Sequence, residues 1–147
     1  ENVYYKTVKE YKALKKEGFP FMLNSYRSTF EEEFAGEKYV SLTFDLYTFT
    51  GGAHGFTERT ADTWDMKRGE RVTLSEVCRE CSADKVVTEV KRQIRENPGI
   101  FFPDAEILAE KNYSPKNFYI RDGSIYVFYP LYSIAPYSSG IQSFKIT

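Results

Sequence analysis

The sequence predicts an α+β fold: an antiparallel sheet of five to six strands with helices packed on one face. Three observations carry that expectation. Segments with period-two patterning follow one another across short turns, as hairpin-linked strands do. The dipeptide Asp122-Gly123, a strong two-residue turn signal, separates two more such segments. Between the two groups of strands lies a stretch whose apolar residues recur at helical spacing. Strands joined by hairpins, with helices segregated from them, make an antiparallel sheet covered on one side.

The first element is helical. Val3, Tyr4, Val8, Tyr11 and Leu14 fall on one broad face with Lys and Glu between them. Gly18 and Pro20 end it. From Phe21 to Phe34 the period changes. Tyr26, Ser28, Phe30, Glu32 and Phe34 alternate, which sets the aromatic rings on one side of a strand. A turn follows at residues 35–38. Residues 39–49 form the clearest strand: Val40, Leu42, Phe44 and Leu46 point one way, Ser41, Thr43, Asp45 and Tyr47 the other. The two strands make an antiparallel hairpin. Gly51, Gly52 and Gly55, around Ala53 and His54, then interrupt the pattern with backbone shapes that other residues resist. A third strand spans residues 56–66 and ends at the turn 67–70.

Helix returns next. Thr73 or Ser75 caps a short segment, and Ser82 caps a longer one with Asp84 in its first turn. Val86, Val87, Val90 and Ile94 make its buried face, and Asn97-Pro98-Gly99 ends it. Residues 100–116 read as irregular, with one helical turn around 104–108. Residues 117–121 and 124–129 form the second hairpin. Residues 130–140 are a long loop, and 141–146 alternate again as a last strand. No internal repeat or flexible linker is visible.

A chain of 147 residues with 41% apolar and 28% charged residues can bury one sizeable core, so the composition is that of a globular domain. The net charge of -1, with Lys and Arg spread among Asp and Glu, argues against nucleic acid as the partner. Twelve Tyr and twelve Phe leave two readings open: an aromatic core, and tyrosines that line a recognition surface. The first residues, from Glu1, show neither a Met nor a secretory signal. Any membrane segment or upstream domain is therefore expected to lie outside this stretch.

Candidate chemistry is sparse. His54 is the single histidine, and no G-x-S-x-G elbow accompanies it, so a structural or binding role outweighs a catalytic one. The glycine-rich turn leads into a strand rather than a helix, which removes the helix dipole a phosphate loop uses. Glu31, Glu32 and Glu33 read as a solvated strand edge rather than a glycosidase pair. Cys78 and Cys81 stand as C-x-x-C; a zinc site, a redox pair, and a local disulfide or two buried thiols are the readings, with the last preferred for want of a second ligand pair or a βαβ context. No metal or cofactor is expected. Residues 129–140 mix Tyr, Ser, Gly and Pro, a composition that antibody paratopes favour for contact area at small entropic loss.

Two stretches resemble a known family. Thr50-Gly51-Gly52-Ala53-His54 after a strand, then Thr63-Trp64-Asp65-Met66 and Leu74-Ser75-Glu76-Val77, resemble the C-terminal extracytoplasmic domain of RsiV-type anti-sigma factors. Phe128-Tyr129-Pro130 with Ile134-Ala135-Pro136-Tyr137-Ser138-Ser139-Gly140-Ile141 is similar to that family's closing signature. Gly55 and the two cysteines fall outside the pattern. The resemblance implies residues 21–147 as one RsiV-like unit and residues 1–20 as the tail of a preceding domain. It implies a bacterial, extracytoplasmic binding domain whose partner is a lysozyme-like protein. The alternative partner, a cell-wall glycan, rests on tyrosine rings that stack on sugar faces, and the want of a metal set and a nucleophile motif argues against an enzyme. The domain also occurs beside peptidoglycan deacetylases. By matching motif, the contact residues it implies are Gly51, Gly52, His54, Pro136 and Tyr137, with Tyr132 beside them.

Overall fold

The computed structural model describes residues 3–18 and 24–147, so the expected change of period at Phe21 and the stop at Pro20 lie outside the described residues. The helix α1 runs Val3–Lys16 with lysines in its last turn, where they complement the dipole. Four strands follow: β1 (Ser25–Ala35), β2 (Tyr39–Phe49), β3 (Phe56–Asp65) and the short β4 (Glu70–Arg71). They form one antiparallel sheet in chain order. Then come α2 (Leu74–Val77), α3 (Ala83–Glu96) and α4 (Ala105–Lys111). The strands β5 (Phe118–Arg121), β6 (Ser124–Tyr129) and β7 (Gln142–Lys145) make a second antiparallel sheet.

The strands therefore divide into two sheets of four and three rather than one of five to six. Helices α3 and α4 pack on the second. Val86, Val90 and Ile94 of α3, with Ala105 and Ala109 of α4, pack on Phe118, Ile125, Val127, Tyr129 and Phe144 in one continuous core. Asp122 and Gly123, both at positive φ, turn β5 into β6 with the twist that two-residue hairpins need. Glu76 accepts hydrogen bonds from the Thr73 N–H and hydroxyl at 2.8 and 2.9 Å, which settles Thr73 as the cap of α2. The expected helical turn around 104–108 is the seven-residue α4.

The first sheet buries the face that its sequence makes polar. Ser41, Thr43 and Thr63 are sealed from solvent, whereas Phe30, Tyr26, Phe56 and Leu46 on the opposite face stay exposed. The reason is β5, the edge strand of the second sheet, which packs against β1, β2 and β3. The Ile120 N–H donates to Ser41 Oγ at 2.9 Å, and Ser41 in turn bonds Thr63 Oγ1 at 2.9 Å. A bulge between Glu32 and Phe34 turns Glu33 inward. Its carboxylate accepts from Thr43 Oγ1 at 2.9 Å and from Arg121 Nε at 2.7 Å. The solvated edge expected for residues 31–33 thus holds an inward-facing carboxylate with just 3% of its side chain exposed. The two cysteines are joined in a disulfide at the end of α2.

Candidate functional site

The link between β2 and β3 and the loop after β6 meet at one end of the molecule. Gly51 and Gly52 take φ values of 102° and 95°, with open space where a side chain would stand. They throw the chain outward before it returns into β3, and His54 rides on that excursion, exposed. Gly55 is buried for a different reason. A Cβ there would lie 2.4–2.5 Å from the Tyr47 ring, so the backbone can cross that ring only without a side chain.

The second loop is held by its buried residues. Leu131, Ile134 and Ala135 are anchored in the interior. The Phe102 N–H donates to the Ile134 carbonyl at 3.1 Å, and Asn112 Nδ2 to the Ser133 carbonyl at 2.8 Å. Ser133 N–H returns to the Pro130 carbonyl at 3.0 Å. Pro136 starts the 3-10 turn Tyr137–Ser139, whose Ser139 hydroxyl donates to the Ile100 carbonyl at 2.8 Å. Between the anchors Tyr132 stands out, 48% exposed and at φ 67°.

Three of the residues expected to make contact come together as a ring cluster. The His54 imidazole stacks on Tyr137 with centroids 3.9 Å apart and planes 23° from parallel. Tyr132 lies 5.7 Å from Tyr137 and 6.5 Å from His54. Gly51 and Gly52 supply the turn beneath His54, and Pro136 precedes Tyr137 at the foot of the stack. The cluster presents edges and faces of aromatic rings with hydroxyl and imidazole groups at their ends. That is a surface suited to amphipathic contact. Among the described residues, His54 Nδ1 hydrogen-bonds the Gly55 carbonyl at 3.0 Å. Among the described residues, no three of His, Cys, Asp and Glu are grouped so that they could hold a metal.

Sequence reasoning missed Tyr47, which forces the glycine at 55, and the half-buried pair in which Arg59 donates twice to Asp45, at 2.7 and 2.6 Å. The pair sits at facing positions of β2 and β3. Opposite charges in cross-strand register were visible in the residue types, but finding them needed the register.

Residues 79–147 match the family model DUF3298, described as a protein of unknown function, and residues 1–57 match a model described as deacetylase PdaC. A solved DUF3298-family protein from Bacteroides fragilis is similar with a TM-score of 0.71 at 18% identity, over 94% of this chain and 57% of that one. A DUF3298-family protein from Pseudomonas aeruginosa is similar with a TM-score of 0.59 at 25% identity, over 82% of this chain and 58% of that one. The chain thus spans less than three fifths of either solved protein. No curated protein matches the chain.

Proposed function

We propose that this chain is a non-enzymatic binding domain of a bacterial cell-envelope protein, and that the His54, Tyr132 and Tyr137 cluster is the face it offers to a protein partner. The observation that carries this reading is the ring stack, built by two separate loops and left open at Tyr132. Aromatic anchors on pre-ordered loops concentrate binding energy with little ordering loss. The disulfide between Cys78 and Cys81 fits a setting outside the cytoplasm, where such bonds persist. Similarity to DUF3298-family proteins of two bacteria fits the bacterial part of the reading.

The RsiV-type resemblance points to a lysozyme-like enzyme as the partner, with the two loops entering its cleft. Calorimetric titration of the whole chain with a c-type lysozyme, beside a lysozyme activity assay, tests this. Saturable one-to-one binding with loss of lysozyme activity is expected. Tyr137→Ala should then weaken binding by about 2 kcal/mol, as removal of a central aromatic anchor does. Absence of binding at tens of micromolar would dismiss the lysozyme partner. A second reading, a cell-wall glycan, draws on the exposed ring of Tyr132, a platform on which a sugar face can lie. A saturable response to muropeptides that disappears in Tyr132→Ala would favour it.

A further inference from the structure

Among the described residues, the other half of β3 has an unfilled edge beside a large cavity. The strand β4 pairs with β3 at Trp64 and Asp65, and the Val72 N–H continues the contact by donating to the Thr63 carbonyl at 2.9 Å. Backbone groups two residues apart in a strand face the same edge. The N–H and carbonyl groups of Ala61 and Arg59 therefore point to the same side as the Thr63 carbonyl. Among the described residues no strand pairs with them there, and no turn or loop hydrogen bond reaches them.

Alongside this edge lies a cavity of about 1050 Å³, lined by Thr60 to Thr63 and floored by the buried side chains of Val72, Leu74 and Phe118. Its charged lining residues are Arg71, Lys116 and Asp62, and the last is taken up by Arg71 at 2.9 Å. The first turn of α3, at Ser82 and Ala83, also opens on it. The cationic excess therefore favours a ligand that carries a carboxylate.

We propose that this edge and cavity bind an extended peptide segment of a protein partner. The segment adds a strand to β3, sets an apolar side chain on the Leu74 and Phe118 floor, and directs an acidic side chain to Lys116. A small apolar ligand would fill the cavity and leave the edge unmet. An extended peptide meets both, because its main chain supplies the missing ladder partners while alternate side chains enter the pocket. The site is separate from the ring cluster: at the rise of a strand, Ala61 is roughly 17 Å along β3 from Phe56, where the cluster's loop ends.

The probe is a random octapeptide library displayed on phage and panned against the whole chain, with enriched sequences then synthesised and titrated by calorimetry. Enrichment should yield β-branched or aromatic residues at alternating positions together with Asp or Glu. Ala61→Pro should weaken the synthetic peptides at least tenfold without lowering the melting temperature, because it removes a donor that faces away from β2. Ala83→Trp, which narrows the cavity from its exposed rim, should abolish binding, and Lys116→Glu should weaken acidic peptides about fivefold. If Ala61→Pro compromises folding, Ala83→Trp decides alone. Peptides that bind both variants unchanged, or a library that yields no enrichment, would overturn the proposal. So would self-association of the chain that Ala61→Pro dissolves, because the edge would then belong to a second copy.

Discussion

Tyr132 holds a left-handed backbone conformation at φ 67° while nearly half of its surface is open to water. A residue other than glycine in that region is disfavoured by about 1 kcal/mol or more, and Asn tolerates it best. Little in the burial of the ring offsets that strain, which suits a side chain kept for what it touches rather than for stability. Tyr132→Asn should therefore leave stability unchanged or raise it by up to about 1 kcal/mol, read from urea midpoints, while binding to the protein partner weakens tenfold or more. A marked loss of stability would instead make the ring structural. Gly55 is the opposite case. Its φ is unexceptional, and the demand for glycine comes from the Tyr47 ring against it. Gly55→Ala should destabilise by about 1–3 kcal/mol through overpacking. Much of that loss should vanish in a Tyr47→Ala background, since residues in contact couple. The turn-forming glycines at 51 and 52 were legible in the sequence as a cluster. The reason for Gly55 was not, because it depends on a ring eight residues upstream that only the strand register brings near.

At the scale of the strand, period-two patterning located β2 but does not say which side the molecule buries. The apolar side of Val40, Leu42, Phe44 and Leu46 would have been the natural choice for the core. Burial falls instead on Ser41 and Thr43, because the outer edge of β5 brings an N–H that needs an acceptor. Ser41 supplies it, and Thr63 completes the chain of hydroxyls. The two faces should thus respond in inverse order to their hydropathy. Ser41→Val, a better strand former, leaves the Ile120 N–H and the Thr63 hydroxyl buried without a partner and should destabilise by about 1–3 kcal/mol. Phe30→Ser, on the exposed face, should stay within about 0.5 kcal/mol. Equilibrium unfolding of both variants in urea decides between the faces: a tolerated Ser41→Val together with a damaging Phe30→Ser would reverse this account. The bulge at Glu33 belongs to the same scale. Sequence patterning runs through it without a break, so three consecutive glutamates read as solvated although the middle of the layer takes one of them.

For the whole molecule, hairpin signals gave the order and direction of the strands. They could not give the division into two sheets, because local turns pair neighbours and are silent on whether β3 and β5 share a ladder or face one another. Carboxylates paired within the connections and along α3 set a pH dependence for the molecule. Asp65 lies below the usual carboxylate range, chiefly because its carboxylate accepts the Arg68 N–H, with the Lys67 N–H and the Arg68 side chain adding to it. Glu76 is lowered first by the Thr73 N–H and then by the Thr73 hydroxyl and Arg68. Glu89 is lowered to about 2, mainly by its hydrogen bonds from Arg92 and then from Gln93. Each group binds its proton more weakly in the folded chain than in the unfolded one, where carboxylates titrate near about 4. Their stabilisation is therefore complete above that value and is lost as pH falls through the folded-state values, toward about 2 for Glu89. The urea midpoint should be level just above pH ~5 and decline from there to pH ~2, and Glu89→Gln should flatten the most acidic part of the decline. Because Glu76 and Glu89 sit nearer the surface than the buried Asp65, 1 M salt, with a screening length of about 3 Å, should shallow their share of the profile. A midpoint that held or rose on acidification would mean that the paired carboxylates at the β3 turn, the α2 cap and the α3 surface do not stabilise the fold.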